Sequence, residues 1–119
     1  MRNLTIQREK TFVACLMTMK IYIEDNANGN VMIDGVSCRK IGELKNGESK
    51  TFEIGSESAK VFVIADQLSR NYCNEYYQLP EGEEDITLSG KNRFNLTTGN
   101  AFCFHNNNNP EVHKNRKKN

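Results

Sequence analysis

The stretch that decides the fold of this chain is Ala59-Lys60-Val61-Phe62-Val63-Ile64-Ala65. Four consecutive apolar residues lie at its centre, and successive residues of a β-strand point to opposite faces of a sheet. A strand of this composition is apolar on both faces, which a sheet tolerates only where both faces are covered. We expect a central strand here, because an edge strand with these residues would promote aggregation.

The segments on either side of this stretch alternate apolar and polar residues with a period of two, which is typical of half-buried strands. Glycine, asparagine and aspartate recur between them, as in the tight turns that join short strands. About eight or nine short antiparallel strands and no convincing helix predict an all-β fold, and we favour a small β-sandwich over a barrel. The alternating segments are Leu4–Ile6, Ile21–Ile23, Val31–Ile33, Phe52–Ile54 and Ile86–Leu88.

The sharpest turn signal is Lys45-Asn46-Gly47-Glu48, which separates Lys40–Leu44 from Ser49–Ile54. An Asn-Gly pair supplies the positive φ angles of a two-residue hairpin loop, so we expect the two flanking strands to pair with each other. A second Asn-Gly pair, at Gly29, lies in a longer polar loop. Since a longer loop can bend elsewhere, we expect a side chain at Gly47 to destabilise the protein more than one at Gly29.

One segment, Asp66–Tyr77, fits two structures. Several of its apolar residues fall at helical spacing, but those near its end also alternate as in a strand. We favour a loop or a single helical turn to about Asn71, followed by a strand to Leu79.

The chain divides after Phe104 into a patterned body and a tail of different composition. Residues 1–104 carry 12 basic and 14 acidic side chains, whereas residues 105–119 carry four basic and one acidic side chain. The tail has a single aliphatic residue, Val112, and so has almost nothing to bury. We predict a β-sandwich domain over residues 1–104 and an Asn-rich, basic, disordered tail over residues 105–119.

The cellular compartment is predicted from the absence of export and membrane signals. No apolar run approaches the roughly 18 residues that cross a bilayer. Arg8-Glu9-Lys10 precede the short apolar run Phe12–Met17, so no apolar core of a signal peptide precedes Cys15. We therefore expect a cytoplasmic protein without membrane contact. Its four cysteines, which we expect to be free thiols, are Cys15, Cys38, Cys73 and Cys103.

The middle of the chain resembles a known family. Its order of strand, Ile-Asp-Gly turn, glycine and strand is similar to that of PEGA-like small bacterial β-sandwich modules, over about residues 19–90. Glu83 stands where the namesake turn of the family has alanine, and Glu24–Asn30 interrupts the strand that should run directly into Ile33-Asp34-Gly35. The resemblance implies a bacterial surface or interaction domain and no catalytic residues. The residues that carry it are Ile21–Ile23, Val31–Gly35, Ile41–Glu48, Thr51–Ile54, Leu79–Gly82 and Ile86–Leu88.

Three patterns are compatible with a catalytic or metal site, but a structural role explains each of them better. Cys103 and His105 lie two apart, as on one face of a strand, but Cys103 stands between two phenylalanines as a small hydrophobic residue would. The loop Glu24–Asn30 has oxygen-bearing residues at the spacing of a calcium loop, yet Gly35 stands where the bidentate glutamate belongs. The carboxylates of Glu81–Asp85 cluster at a solvated turn. We expect no catalytic residue, no metal and no cofactor.

The remaining candidate site is an aromatic cluster, Tyr72, Tyr76 and Tyr77, with Arg70 beside it. Tyrosine with arginine is the composition of a protein–protein hot spot. It is also the composition of a platform on which nucleic-acid bases stack. In a third interpretation, Tyr76 or Tyr77 fills the edge of the core and keeps its hydroxyl in water.

These observations predict a non-enzymatic interaction module whose partner is another protein. Nucleic-acid binding through the tyrosines and the basic tail is the alternative, which the negative net charge of residues 1–104 disfavours. The sequence identifies no small-molecule substrate, and we expect no membrane partner.

Overall fold

The computed structural model describes residues 1–12, 18–33, 35–65, 75–95, 99–104 and 112–114. These ranges contain ten strands and no helix, which confirms the all-β prediction. The strands are β1 Arg2–Arg8, β2 Met19–Glu24, β3 Val31–Ile33, β4 Val36–Leu44, β5 Ser49–Ile54, β6 Ala59–Ala65, β7 Glu75–Leu79, β8 Ile86–Asn95, β9 Gly99–Phe104 and β10 Val112–Lys114.

The strands form two sheets. The four-stranded sheet has the order β5-β1-β8-β9, and the six-stranded sheet has the order β10-β7-β6-β2-β4-β3. Neighbours pair antiparallel except β1 and β8, which run parallel from Leu4 opposite Ile86 to Arg8 opposite Gly90. This pair differs from the expected antiparallel arrangement, because alternation within a segment does not reveal a partner from the far end of the chain.

The two sheets pack face to face around one apolar core, as a β-sandwich does. In β1 and β2, alternate residues are buried, which is the pattern of strands with one face turned to the core. The buried members of this main core are Leu4, Ile6, Met19, Ile21, Ile23, Leu44, Ile54, Ala59, Val61, Val63, Tyr77, Leu79, Leu88 and Phe104.

β6 lies inside the six-stranded sheet, between β7 and β2. Val61 and Val63 point into the main core, while Phe62 and Ile64 point to the opposite face, where they join a second buried cluster with residues of β3 and β4. None of these four side chains is more than 4% exposed. The prediction of a central strand that is covered on both faces is therefore confirmed.

The Asn46-Gly47 turn forms where the sequence predicts it, but it joins strands of different sheets. Glu48 N donates a hydrogen bond to Lys45 O at 2.9 Å, and Gly47 has a φ of 81°. β4, before the turn, pairs with β2 and β3, whereas β5, after it, pairs with β1. The predicted hairpin is therefore wrong. Turn residues reverse the chain locally, but the burial of the apolar faces of β4 and β5 on opposite sides of the core decides which strands pair.

Two buried arginines of β1 stabilise two of the connections between the sheets, those before and after β5. The chain crosses to the four-stranded sheet after β4 and returns after β5. At the first crossing, Arg8 donates from Nη1 to Leu44 O at 2.8 Å. At the second, Arg2 donates from Nε to Gly55 O at 3.0 Å and from Nη2 to Glu57 O at 3.1 Å. Each arginine is at most 3% exposed; the Arg8 hydrogen bond is buried, and the two Arg2 hydrogen bonds are partly buried.

The loop after β2 packs tightly onto β4. Gly29 N donates a hydrogen bond to Asp25 O at 2.9 Å. A Cβ atom at Gly29 would lie 2.5 Å from Asp25 O and 2.8 Å from Cys38 N, and these backbone atoms cannot rotate away. A Cβ atom at Gly47 would meet the Lys10 side chain no closer than 3.5 Å. This crowding opposes the expectation that Gly29 tolerates a side chain more readily than Gly47, whose positive φ is the cost that the sequence indicates.

The structure describes only parts of the two least patterned segments. β7 agrees with the strand expected at the end of the ambiguous segment, and residues 66–74 lie outside the described residues. In the predicted tail, Val112–Lys114 forms β10 against β7, a strand that the sequence pattern does not predict. The other residues of 105–119 are not among those described, and their predicted disorder stays a prediction.

Phe62→Ala and Val63→Asp test the two-sided burial of β6. Phe62→Ala should lower the free energy of unfolding by about 3–5 kcal/mol, the usual cost of emptying a buried aromatic site. Val63→Asp should prevent folding, because it buries a carboxylate without a partner. Chemical denaturation followed by circular dichroism measures both, with Met32→Ala, at a residue that is 56% exposed, as the control. Near-native stability of either variant would show that its face of β6 is solvated.

Gly29→Ala should destabilise the protein more than Gly47→Ala. At Gly47 the cost is that of a positive φ, about 1–2 kcal/mol for a residue with a Cβ atom. At Gly29 the methyl group overlaps backbone atoms and the loop must move away from β4, so we expect roughly 3 kcal/mol. Thermal unfolding gives the order of the two variants, and equal midpoints would contradict the close packing of this loop.

Arg8→Met tests the first crossing. Arg8 donates from Nε to the buried Asn92 Oδ1 at 2.9 Å as well as to Leu44 O. The variant keeps the apolar stem but removes one buried donor from each acceptor, which costs roughly 1–3 kcal/mol per acceptor. Lys50→Met on the adjacent β5, where the side chain is 46% exposed, is the matched control. It should change the free energy of unfolding in urea by less than about 0.5 kcal/mol, and a similar value for Arg8→Met would disprove the role of this contact.

Candidate functional site

Of the four predicted binding residues, the structure describes Tyr76 and Tyr77, whereas Arg70 and Tyr72 lie outside the described residues. Tyr76 and Tyr77 are neighbours in β7, so their side chains lie on opposite faces of the sheet. Tyr77 is 4% exposed in the main core, and its ring centroid lies 6.2 Å from that of Phe104. Tyr76 is half-buried on the face that points away from the main core, which we call the outer face.

Three aromatic residues lie side by side on the outer face. Strand pairing places Phe62 of β6 opposite Tyr76 of β7 on one side and opposite Tyr22 of β2 on the other. The rings of Phe62 and Tyr76 are 5.7 Å apart between centroids and inclined by 46°. Phe62 is buried, while Tyr22 and Tyr76 are half-buried. We call Tyr22, Phe62 and Tyr76 the aromatic row.

Charged side chains of both signs surround the aromatic row. Lys60 Nζ lies 5.5 Å from the centroid of the Tyr76 ring, a cation–π distance. Lys40 lies opposite Tyr22 and forms an ion pair with Glu43. Lys20 lies two residues before Tyr22 in β2, so both side chains are on the same face. Lys20 lies opposite Glu43 of β4. The surface around the row is therefore polar and mixed in charge, with cations in the majority among these residues.

The aromatic row differs from the cluster predicted from the sequence. That cluster joined tyrosines that are close along the chain, whereas the row joins residues of β2, β6 and β7. One local signal was present, because Tyr22 stands between Ile21 and Ile23, two buried residues, and so must face away from the core. Which aromatic residues lie beside it depends on the strand order, and alternation within single strands does not determine that order.

The loop Glu24–Asn30 uses its carboxylates to hold its own fold. Asp25 Oδ1 accepts hydrogen bonds from Asn28 N at 2.9 Å and Ala27 N at 3.1 Å, and Oδ2 accepts one from Arg39 Nε at 2.8 Å. The bond from the Asn28 backbone, helped by Arg39 and Ala27, lowers the pKa of Asp25 although desolvation opposes it. Asp25 therefore stays ionised at neutral pH and serves as an acceptor within the loop.

A polar cavity of about 290 Å³ lies beside this loop, at the end of the sandwich where Arg2 holds the second crossing. Glu24, Asp25, Arg39 and Glu57 contribute its charged groups. Glu24 Oε1 already accepts a hydrogen bond from Lys60 N at 3.0 Å. Within the described ranges, no three His, Cys, Asp or Glu side chains converge as metal ligands would.

Cys38 is the cysteine whose side chain the structure describes. It is fully buried on the outer-face side of β4 and is a free thiol whose Sγ donates to Val36 O at 3.4 Å. Burial, with a smaller contribution from Glu24, raises the pKa of Cys38 to about 11. The thiolate is the nucleophilic form, and a raised pKa keeps Cys38 as the protonated thiol at neutral pH. His105 and the side chain of Cys103 are not described, and their proposed proximity stays untested.

No helix within the described residues is long and apolar enough to cross a membrane.

In comparisons with known proteins, no family model matches the chain and no curated protein matches its sequence. The resemblance of residues 19–90 to PEGA-like modules therefore stays a prediction.

Proposed function

We propose that this protein is a non-enzymatic binding module that contacts another protein through the aromatic row. The observation that carries the proposal is the placement of two half-buried tyrosines, Tyr22 and Tyr76, on either side of buried Phe62 on the outer face. Tyrosine provides a large, amphipathic contact area and is enriched among residues that dominate binding energy. The row thus offers two partly exposed rings that a rigid sheet holds at fixed positions.

The mixed charges around the row favour a protein partner. Lysines at positions 20, 40 and 60 alternate with Glu24 and Glu43 across the same face. A polar rim of both signs around aromatic residues is typical of protein–protein interfaces. The resemblance to PEGA-like modules supports the same class of function, and we place the protein in the bacterial cytoplasm as part of this proposal.

Nucleic-acid binding is the second candidate, and the contact between Lys60 and Tyr76 favours it. A lysine lies over a tyrosine ring, and two further lysines are nearby. Proteins bind single-stranded nucleic acid through this combination of positive charge and aromatic stacking surface. Two glutamates on the same face and the acidic excess of residues 1–104 oppose it, since a groove for a nucleic-acid backbone is strongly basic. We therefore favour a protein partner.

The experiment is capture from an extract of the native cell with the full chain as bait, with and without nuclease. We expect the wild type to retain a partner, Tyr76→Ser to lose it, and nuclease to leave it bound. Met32→Ser is the matched control, since Met32 is exposed and belongs to neither the row nor its rim. Retention of the same proteins by Tyr76→Ser would contradict the proposed surface, and loss on nuclease treatment would favour nucleic acid.

A further inference from the structure

β10 occupies the edge of β7. It pairs antiparallel with three of the five residues of β7, with Val112 opposite Tyr77, His113 opposite Tyr76 and Lys114 opposite Glu75. The other edge of β7 is paired with β6. Residues of the basic tail therefore complete the six-stranded sheet of the preceding domain, in the manner by which extended peptides add to a sheet edge.

The pairing of β10 with β7 is specific in register but small. The register is defined residue by residue, since Val112, His113 and Lys114 each lie opposite one residue of β7. Against this, β10 has only three residues, and the net gain from each backbone hydrogen bond is similar to the entropy cost of ordering the residue that makes it. The free energy that holds β10 on β7 is therefore small.

We propose that the edge of β7 is a strand-acceptor site and that β10 of a second copy of this chain can occupy it. A second copy carries the same three residues, so every pairing seen within one chain can form between two. Seven residues, 105–111, separate β10 from Phe104, and an extended segment of this length spans up to roughly 25 Å. The exchange is reciprocal, so it closes into a dimer. It does not depend on the proposed partner, because it uses the backbone of β7, including that of Tyr76, and not the side chains of the aromatic row.

A peptide probe tests the acceptor site in the full chain. In an antiparallel ladder, successive residues direct their N–H groups to alternate sides, so Val112→Pro with His113→Pro removes at least one N–H that β10 directs at β7. A fluorescein-labelled peptide with the sequence of residues 108–117 should bind this double variant at least tenfold more tightly than it binds the wild type, whose own β10 competes. Asn107→Pro, outside β10, is the control and should behave as the wild type.

Light scattering after size exclusion tests the second copy. The dimer fraction of the wild type and of Asn107→Pro should rise with protein concentration, and the double variant should stay monomeric at all concentrations, with an unchanged circular dichroism spectrum. Equal dimer fractions in the wild type and the double variant would overturn the proposal. So would a failure of the double variant to bind the peptide, or equally tight binding of a peptide that carries the same two prolines.

Discussion

The sandwich depends on the way that β1 joins its two sheets. β1 lies between β5 and β8, and its inward face carries an arginine at each end, Arg2 and Arg8. A segment that crosses between sheets leaves backbone carbonyls without partners in a ladder, and a guanidinium with its five N–H groups can donate to several of them. The cost of burying the charge is offset only if its hydrogen bonds are made. Within the described residues, every buried side-chain nitrogen and oxygen has a hydrogen-bond partner.

The two crossings that β1 holds also determine which strands form the six-stranded sheet. Because the chain leaves after β4 and returns at β6, β5 is absent from that sheet, and β6 pairs with the edge of β2 that lies opposite β4. This placement brings Phe62 beside Tyr22, and the next strand, β7, brings Tyr76 to the other side. The aromatic row therefore depends on the pairing of β6 with the edge of β2 that β4 leaves free.

The sequence predicts those features of the fold whose signals lie within a single strand or turn. The double burial of Val61–Ile64, the reversal at Gly47 and the outward direction of Tyr22 follow from periodicity and turn chemistry alone. Pairings between distant segments do not, which is why the parallel partner of β1 and the position of β10 were not predicted. The expectation for Gly29 relied on the length of its loop. Loop length does not reveal that β4 crowds this position. In the predicted tyrosine cluster, the alternation of faces sends Tyr77 into the core, as the third interpretation expected of one of the two residues, and leaves Tyr76 on the outer face.

The burial of β6 limits how the aromatic row can bind. Phe62 is 1% exposed, so a partner meets the rings of Tyr22 and Tyr76 rather than the residue between them. These rings pack against a buried cluster, and Lys60 lies over one of them, so less conformational entropy remains to be lost when a partner binds. The row exists only while β7, β6 and β2 are neighbours. A partner that binds both tyrosines therefore stabilises this strand order, because it binds the folded arrangement and not the unfolded chain.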